Sequence, residues 1–400
     1  MYWVKRPEAS LAVAGSVSLA CAIFVQPSAF VPCGAIVLTL VLGHVWPWLA
    51  MWGLSCELTF VRSRGSEGEP AGVRLRIQNR RPWPVWGLSI QKGFGGTPGR
   101  DGETAVALAR IGGLSKTEFD WEFVPRCRGV YPCEVPAVTT GFPFGLVRVS
   151  RPVSVPAKMI VWPAIMSLEV LLDSADACPS EEFCCENRVG ESGDVMGTRA
   201  FRQGDALRRV NWALTARHGN LIVSERQSSA RSRIRLVLDV HRDVHVCGGE
   251  GGTLEWGIRI AASIADCYVR QHAQVECLIG DRTMLISDAG GSWVRFMDEL
   301  AKIPRNGTAC RESKLQGVNP RRKTEGLTFI ITTDRRLEIQ PELAHPGIQQ
   351  RVVLMQGSAW RDERPAKQSV CAAHHWLLLN DPTDVAGEFR SKWRRMCHEH

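Results

Sequence analysis

The sequence predicts two N-terminal transmembrane helices, a β-sandwich-like domain and a C-terminal α/β domain with a mainly parallel sheet. Three observations carry this. Two long apolar runs stand near the start. Apolar and polar residues alternate strictly from about 57 to 163. Beyond about 230, short apolar runs alternate with helical periods. The boundaries that follow are 1–54 for a membrane hairpin, 55–165 for the β-rich part, 166–230 for a linker with an arginine-rich segment, and 231–400 for the α/β part.

The hairpin comes first. "SLAVAGSVSLACAIFV" (Ser10 to Val25) is apolar and uncharged, and Gln26, Pro27 and Ser28 break it. "AFVPCGAIVLTLVLGHVWPWLAMWGL" (Ala29 to Leu54) is apolar again. Each run approaches or exceeds the roughly 20 residues that cross a bilayer. Trp46, Trp48 and Trp52 fall where an aromatic belt would lie. Read as a cleaved signal peptide, the first run would still leave the second as an anchor. Lys5 and Arg6 precede the first run, and Arg62 and Arg64 follow the second. Positive residues stay on the cytoplasmic side, so the expectation is a multi-pass protein of the cell (inner) membrane with its bulk in the cytoplasm. Fourteen scattered cysteines without a dense, even framework agree with a reducing compartment.

The β-rich part follows. "VRLRIQN" sets Val73, Leu75 and Ile77 against Arg74, Arg76 and Gln78, and "FDWEFV" sets Phe119, Trp121 and Phe123 against Asp120 and Glu122. That alternation makes half-buried strands, and the frequent Gly and Pro make turns. "FPFGL" reads as a packed corner, with Phe142 and Phe144 around Pro143. Further on, "RIRLVLDV", "AQVECLIG", "GLTFIITTD", "QRVVLMQG" and "HHWLLLN" read as strands, while Thr253 to His272 and "SWVRFMDELAKI" read as helices. Alternating strands and helices point to a mainly parallel sheet, whose ligands sit at the carboxyl ends of strands. Asp239 and Asp334 fall there.

A net charge of +8 over 400 residues is modest and dispersed, so nucleic acid is not an expected partner. The densest basic stretch is "RAFRQGDALRRVNWALTARHGNLIVSE", from Arg199 to Glu225. Gly204 and Asp205 read as a turn and a helix cap, "ALRRVNWALTARH" as the helix, and Gly219 as its stop. Arg217 and His218 suit a helix C-terminus. Arg208 and Arg209 in a first turn oppose the dipole by about 0.3–1 kcal/mol each and so require an acidic partner. One reading is an internal clamp to Asp205, Asp194, Glu191 and Glu225. Another is an acidic protein partner.

These residues resemble the hallmark of the family catalogued as domain of unknown function 58. The pattern is a Gly-Asp, an Arg three residues on, a Trp four beyond, then an Ala-Arg and a closing strand. Here it falls on Arg202, Gly204, Asp205, Arg208, Trp212, Ala216, Arg217 and Glu225. "RGVY", "FPFGL" and the order of parts extend the resemblance over nearly the whole chain. It implies that the α/β part is von Willebrand factor A-like. It also implies a partner, a MoxR-type AAA+ ATPase, for which this chain would be a membrane-bound accessory or adaptor; no enzymatic activity is established for the family.

No catalytic signature and no cofactor motif emerges. "GGEGGT" (Gly248 to Thr253) lacks the lysine of a Walker A loop. A metal-binding von Willebrand factor A site opens with Asp-x-Ser-x-Ser, and here the strand ends Asp239-Val240-His241-Arg242-Asp243. Magnesium prefers oxygen ligands, so a site from Asp239, Asp243 and Asp334 is unfavoured. Two alternatives stay open: a metal-dependent enzyme built on those aspartates, and anion or nucleic-acid binding by the arginine segment.

Overall fold

The computed structural model describes residues 7–94, 106–168, 189–202, 210–227, 233–246, 249–287, 291–308, 315, 327–344, 350–361 and 376–398. The chain divides into two compact units, Met1–Ala164 and Ile165–His400.

The first unit begins with α1 (Pro7–Phe24) and α2 (Phe30–Met51). Pro27 starts the short 3-10 turn between them. Among the described residues, only the segment Pro27–Met51 is long and apolar enough to cross a membrane; the apolar stretch Ala9–Phe24 is shorter. Two spanning helices are therefore not what the described residues provide, because the break at Gln26-Pro27 leaves the first described run short of about 20 residues.

Ten strands follow: β1 (Leu54–Phe60), β2 (Arg64–Ser66), β3 (Ala71–Asn79), β4 (Val85–Gln91), β5 (Val106–Ile111), β6 (Lys116–Phe123), β7 (Gly129–Tyr131), β8 (Ala137–Thr140), β9 (Val149–Pro152) and β10 (Met159–Trp162). They form an antiparallel sheet β1-β3-β6, an antiparallel sheet β5-β4-β8-β9 and a mixed sheet β2-β10-β7. Period two is visible in β3, where Val73, Leu75 and Ile77 are buried and Arg74 and Arg76 exposed. Arg74 and Arg76 pair across the outer face with Asp120 and Glu118. The inward side chains of both antiparallel sheets share one core of Leu58, Val73, Leu75, Ile77, Leu88, Ile90 and Val138. Burying each such side chain contributes about 1.5–3 kcal/mol.

The second unit holds β11 (Val189–Ala200), α3 (Trp212–His218) and β12 (Ile222–Gln227), then β13 (Arg233–Leu238), α4 (Thr253–Val269), β14 (Gln274–Ile279), β15 (Arg282–Ile286), α5 (Ser292–Lys302), β16 (Leu327–Thr333), α6 (Asp334–Ile339), β17 (Gln350–Met355), α7 (Gly357–Trp360), β18 (Leu377–Leu379) and α8 (Val385–His398). The six-stranded sheet runs β15-β14-β13-β16-β17-β18. It is mixed, since β15 returns antiparallel on β14. The cause is a two-residue hairpin at Gly280-Asp281, where Gly280 takes φ 56°, a conformation that glycine adopts at little cost. The fold class expected from sequence is thus corrected. Among the described residues, one helix is long enough to span, and several antiparallel and mixed sheets make a mainly β protein. That is not two spanning helices followed by a parallel-sheet von Willebrand factor A-like domain.

The basic C-terminus is a packed helix. In α8, Val385, Phe389 and Trp393 recur every four residues and are buried. Trp393 lies 5.2 Å from the Trp376 ring and 5.8 Å from Phe329.

Candidate functional site

Two places in the second unit hold the residues singled out by the sequence. The first is the arginine-rich segment. β11 and β12 pair antiparallel, with Arg199 opposite Val223 and Gly197 opposite Glu225. The chain then returns along the other edge of β12: Val210 bridges Val223, and Asn211 N donates to Ile222 O at 2.8 Å. Gly204, Asp205, Arg208 and Arg209 lie outside the described residues. So do the side chains of Glu191, Asp194 and Glu225, which the clamp reading required.

The helix is shorter than the sequence suggests. Val210 and Asn211 are extended, and α3 begins at Trp212. Asn211 is its N-cap, with Oδ1 accepting from Leu214 N at 3.2 Å. Pairing to β12 competes with helix for these residues and wins, because it satisfies their backbone groups. The first turn of α3 therefore starts at Trp212; the dipole expectation for Arg208 and Arg209 lies outside the described residues. Gly219 closes the helix with φ 70°, and Arg217 and His218 sit in its last turn. α3 buries none of its residues, and Trp212 is 64% exposed. Arg202 is exposed as well.

The second place is the carboxyl end of β13 and β16. Asp239 is fully buried there. Arg336 grips its carboxylate with both prongs, Nε to Oδ2 at 2.7 Å and Nη2 to Oδ1 at 2.8 Å. Thr332 Oγ1 donates to Oδ2 at 2.8 Å, and His241 N donates to Oδ1 at 3.1 Å. Burial pushes the Asp239 carboxyl up, but the Arg336 hydrogen bonds and charge outweigh it, so it is held below the ordinary range. His245 Nε2 donates to Asp239 O at 2.8 Å, which leaves Nδ1 as the acceptor facing Thr253 Oγ1 at 3.1 Å. Burial lowers the His245 pKa, and the Asp239 charge only partly opposes it.

The three candidate metal aspartates take different roles. Asp239 has about four lone-pair directions, and four donors fill them. A guanidinium stands where a cation would. Asp334 begins α6, and its Oδ1 accepts from Arg335 N at 2.9 Å and Gly357 N at 3.0 Å. A Cβ on Gly357 would lie 2.9 Å from that oxygen, so the close approach suits glycine. Asp243 points outward, 69% exposed, with His241 Nδ1 and Arg242 Nε each 3.6 Å away. Among the described residues no three His, Cys, Asp or Glu side chains gather as a metal site. The donor set does not fit a cation, and no metal step follows from it.

Arg336 is the residue that sequence reasoning missed. It stands 97 positions from Asp239. Its one local signal is "TTDRR", arginine in the first turn after a strand-end aspartate, where a helix disfavours positive charge.

No protein-family model matches the chain, and no curated protein does. Solved structures give weak likenesses. A CARDB domain from Pyrococcus furiosus is 14% identical, covering 26% of this chain and 94% of that one, with a TM-score of 0.17. The alkylpurine DNA glycosylase AlkC of Pseudomonas fluorescens is 12% identical, covering 31% and 39%, with a TM-score of 0.20. A GH20 exo-β-N-acetylglucosaminidase from Vibrio harveyi is 9% identical, covering 53% and 37%, with a TM-score of 0.18. This chain thus spans well under half of the last two. Overlaps this poor carry no argument about function.

Proposed function

We propose that this chain is a membrane-attached accessory protein of a MoxR-type AAA+ ATPase system, and that it binds its partner through the segment around α3. The observation that supports it is the state of α3. A seven-residue helix is marginal in water alone, yet this one carries a large exposed indole beside Arg217 and His218. Trp and Arg are the residue types that dominate binding energy at protein interfaces. An acidic face on the ATPase is the complement this charge asks for.

Attachment runs through Pro27–Met51, with the chain beyond it in the cytoplasm. Arg62, Arg64, Arg80 and Arg81 follow that helix, as the positive-inside rule asks. Cys56 and Cys277 are buried free thiols, consistent with a reducing compartment. Burial pushes the Cys56 thiol up to about 11, with Arg151 opposing, so it is inert near neutrality.

The test is capture from native membranes on the tagged full chain, beside Trp212→Ala. The reading expects a MoxR-type ATPase retained by the parent and depleted by the variant. Equal retention by both removes α3 from the interface, and no ATPase in either removes the adaptor role. Retention of nucleic acid, lost steeply as salt rises, would favour the anion-binding alternative.

A further inference from the structure

The end of the first unit where α2 meets the β-strands is built unlike the rest of its surface. The loop Gly141–Leu146 doubles back on itself, with Gly145 N donating to Gly141 O at 2.6 Å. It sends Leu146 onto α2, where a Cβ placed on Gly43 would lie 2.5 Å from Leu146 Cδ1. A side chain at position 43 would make Leu146 shift, so the glycine suits this close approach. Gly43 is eight residues before Met51, about 12 Å along the helix at 1.5 Å per residue. The loop therefore reaches back beside α2, past Trp48 and toward the middle of the apolar segment.

Its tip is apolar and uncovered. Phe142 is 37% and Phe144 49% exposed. Sequence reasoning read them as a packed corner. In the structure Phe142 lies against Trp86 at 5.2 Å between ring centroids and is still partly exposed. A second loop joins them. Leu114 N donates to Arg81 O at 2.7 Å, and the Leu114 side chain is 73% exposed with a left-handed φ of 49°. Holding a leucine in that conformation, projecting into water, has no folding benefit.

Around these sit arginines. The Arg81 guanidinium lies 3.8 Å from the centre of the exposed Trp52 ring. Arg151 Nη1 donates to Met51 O at 2.8 Å, satisfying a carbonyl at the C-terminus of α2. Arg80 and Arg148 are exposed. The segments that form this end, 43–56, 80–91, 112–115 and 141–152, contain those four arginines and no aspartate or glutamate.

We infer that this end is a lipid-binding surface: Phe142, Phe144 and Leu114 enter the boundary between headgroups and acyl chains, and Arg80, Arg81, Arg148 and Arg151 meet anionic headgroups. The inference rests on α2 lying in the membrane, and it adds that the folded unit is seated on the bilayer rather than tethered above it. The aromatic tips match the interfacial preference of such rings, and each nearby arginine adds attraction to anionic lipid.

The experiment places a photoreactive benzoylphenylalanine at position 48, 114, 142, 144 or 61 of the full chain, in nanodiscs of mixed zwitterionic and anionic lipid. Val61 is exposed and lies seven residues along β1 from Leu54, roughly 23 Å at 3.3 Å per residue. Lipid crosslinks at 114, 142 and 144 are expected several-fold above those at 61 and near those at 48. They should fall several-fold in purely zwitterionic discs, where 48 should hold steady. Crosslinking at 48 with only background at 142 and 144 would overturn the inference while leaving the anchor intact. Background at 48 as well would remove the anchor, and the inference with it.

Discussion

At the scale of single residues, Asp239 and Arg336 form a buried, two-pronged ion pair. A buried pair of this kind adds little over a well-packed apolar pair, but removing one partner leaves an uncompensated charge. Arg336→Met is expected to destabilise the second unit by about 3–5 kcal/mol in denaturant unfolding, with Asp239→Leu/Arg336→Met recovering much of that loss. A double variant as unstable as the single would mean that the pair itself is what the fold requires. His245 gives a pH signature. Its folded pKa lies below the unfolded value of about 6.5, so the unfolded chain binds the extra proton as pH falls through that value. Stability should fall from neutrality toward pH 5, on that account, and His245→Gln should flatten the slope over that window. Asp239 acts lower down: its depressed pKa adds stability present above about 3.9 and lost as pH drops below it. The strand-end aspartates were legible in the sequence as positions. Their roles were not, because three of the four donors that saturate Asp239 come from Thr332 and Arg336, more than ninety positions along the chain.

At the scale of elements, the β-strands of the first unit were legible because alternation in β3 and β6 reports burial residue by residue. Helix limits in the arginine-rich segment were not. Residues 210 and 211 have an apolar period that suits a helix, yet the free edge of β12 takes them as a pairing strand. The cap of α3 is Asn211, while Asp205 lies outside the described residues. Asn211→Ala should cost α3 about 0.5–2 kcal/mol. Faster amide hydrogen exchange at Leu214, with an unchanged global thermal midpoint, is the expected readout; unchanged exchange there would show that the cap is dispensable. The C-terminal helix was hidden for another reason: "RSKWRRMCHEH" looks solvated by charge count, while Phe389 and Trp393 anchor it and Lys392 Nζ reaches Leu378 O at 2.7 Å. In α2, Gly43→Leu should force Leu146 away and destabilise the first unit by about 1–3 kcal/mol, measured as a lower melting temperature in detergent.

At the scale of the whole molecule, the fold class could not be read along the chain. A two-residue hairpin was enough to turn the six-stranded sheet from parallel to mixed, and one proline break was enough to shorten the first apolar helix below spanning length. What unites the molecule functionally is an apolar helix at one end of the chain and an unburied tryptophan helix in the second unit. The proposed role of α3 is to dock a MoxR-type ATPase. The most direct measurement is the equilibrium affinity of the detergent-purified full chain for that ATPase, with and without nucleotide, beside Trp212→Ala. A central interface tryptophan is worth about 2 kcal/mol or more, so the variant should bind roughly thirtyfold more weakly or worse. Equal affinity of parent and variant, or no binding by either, would contradict it.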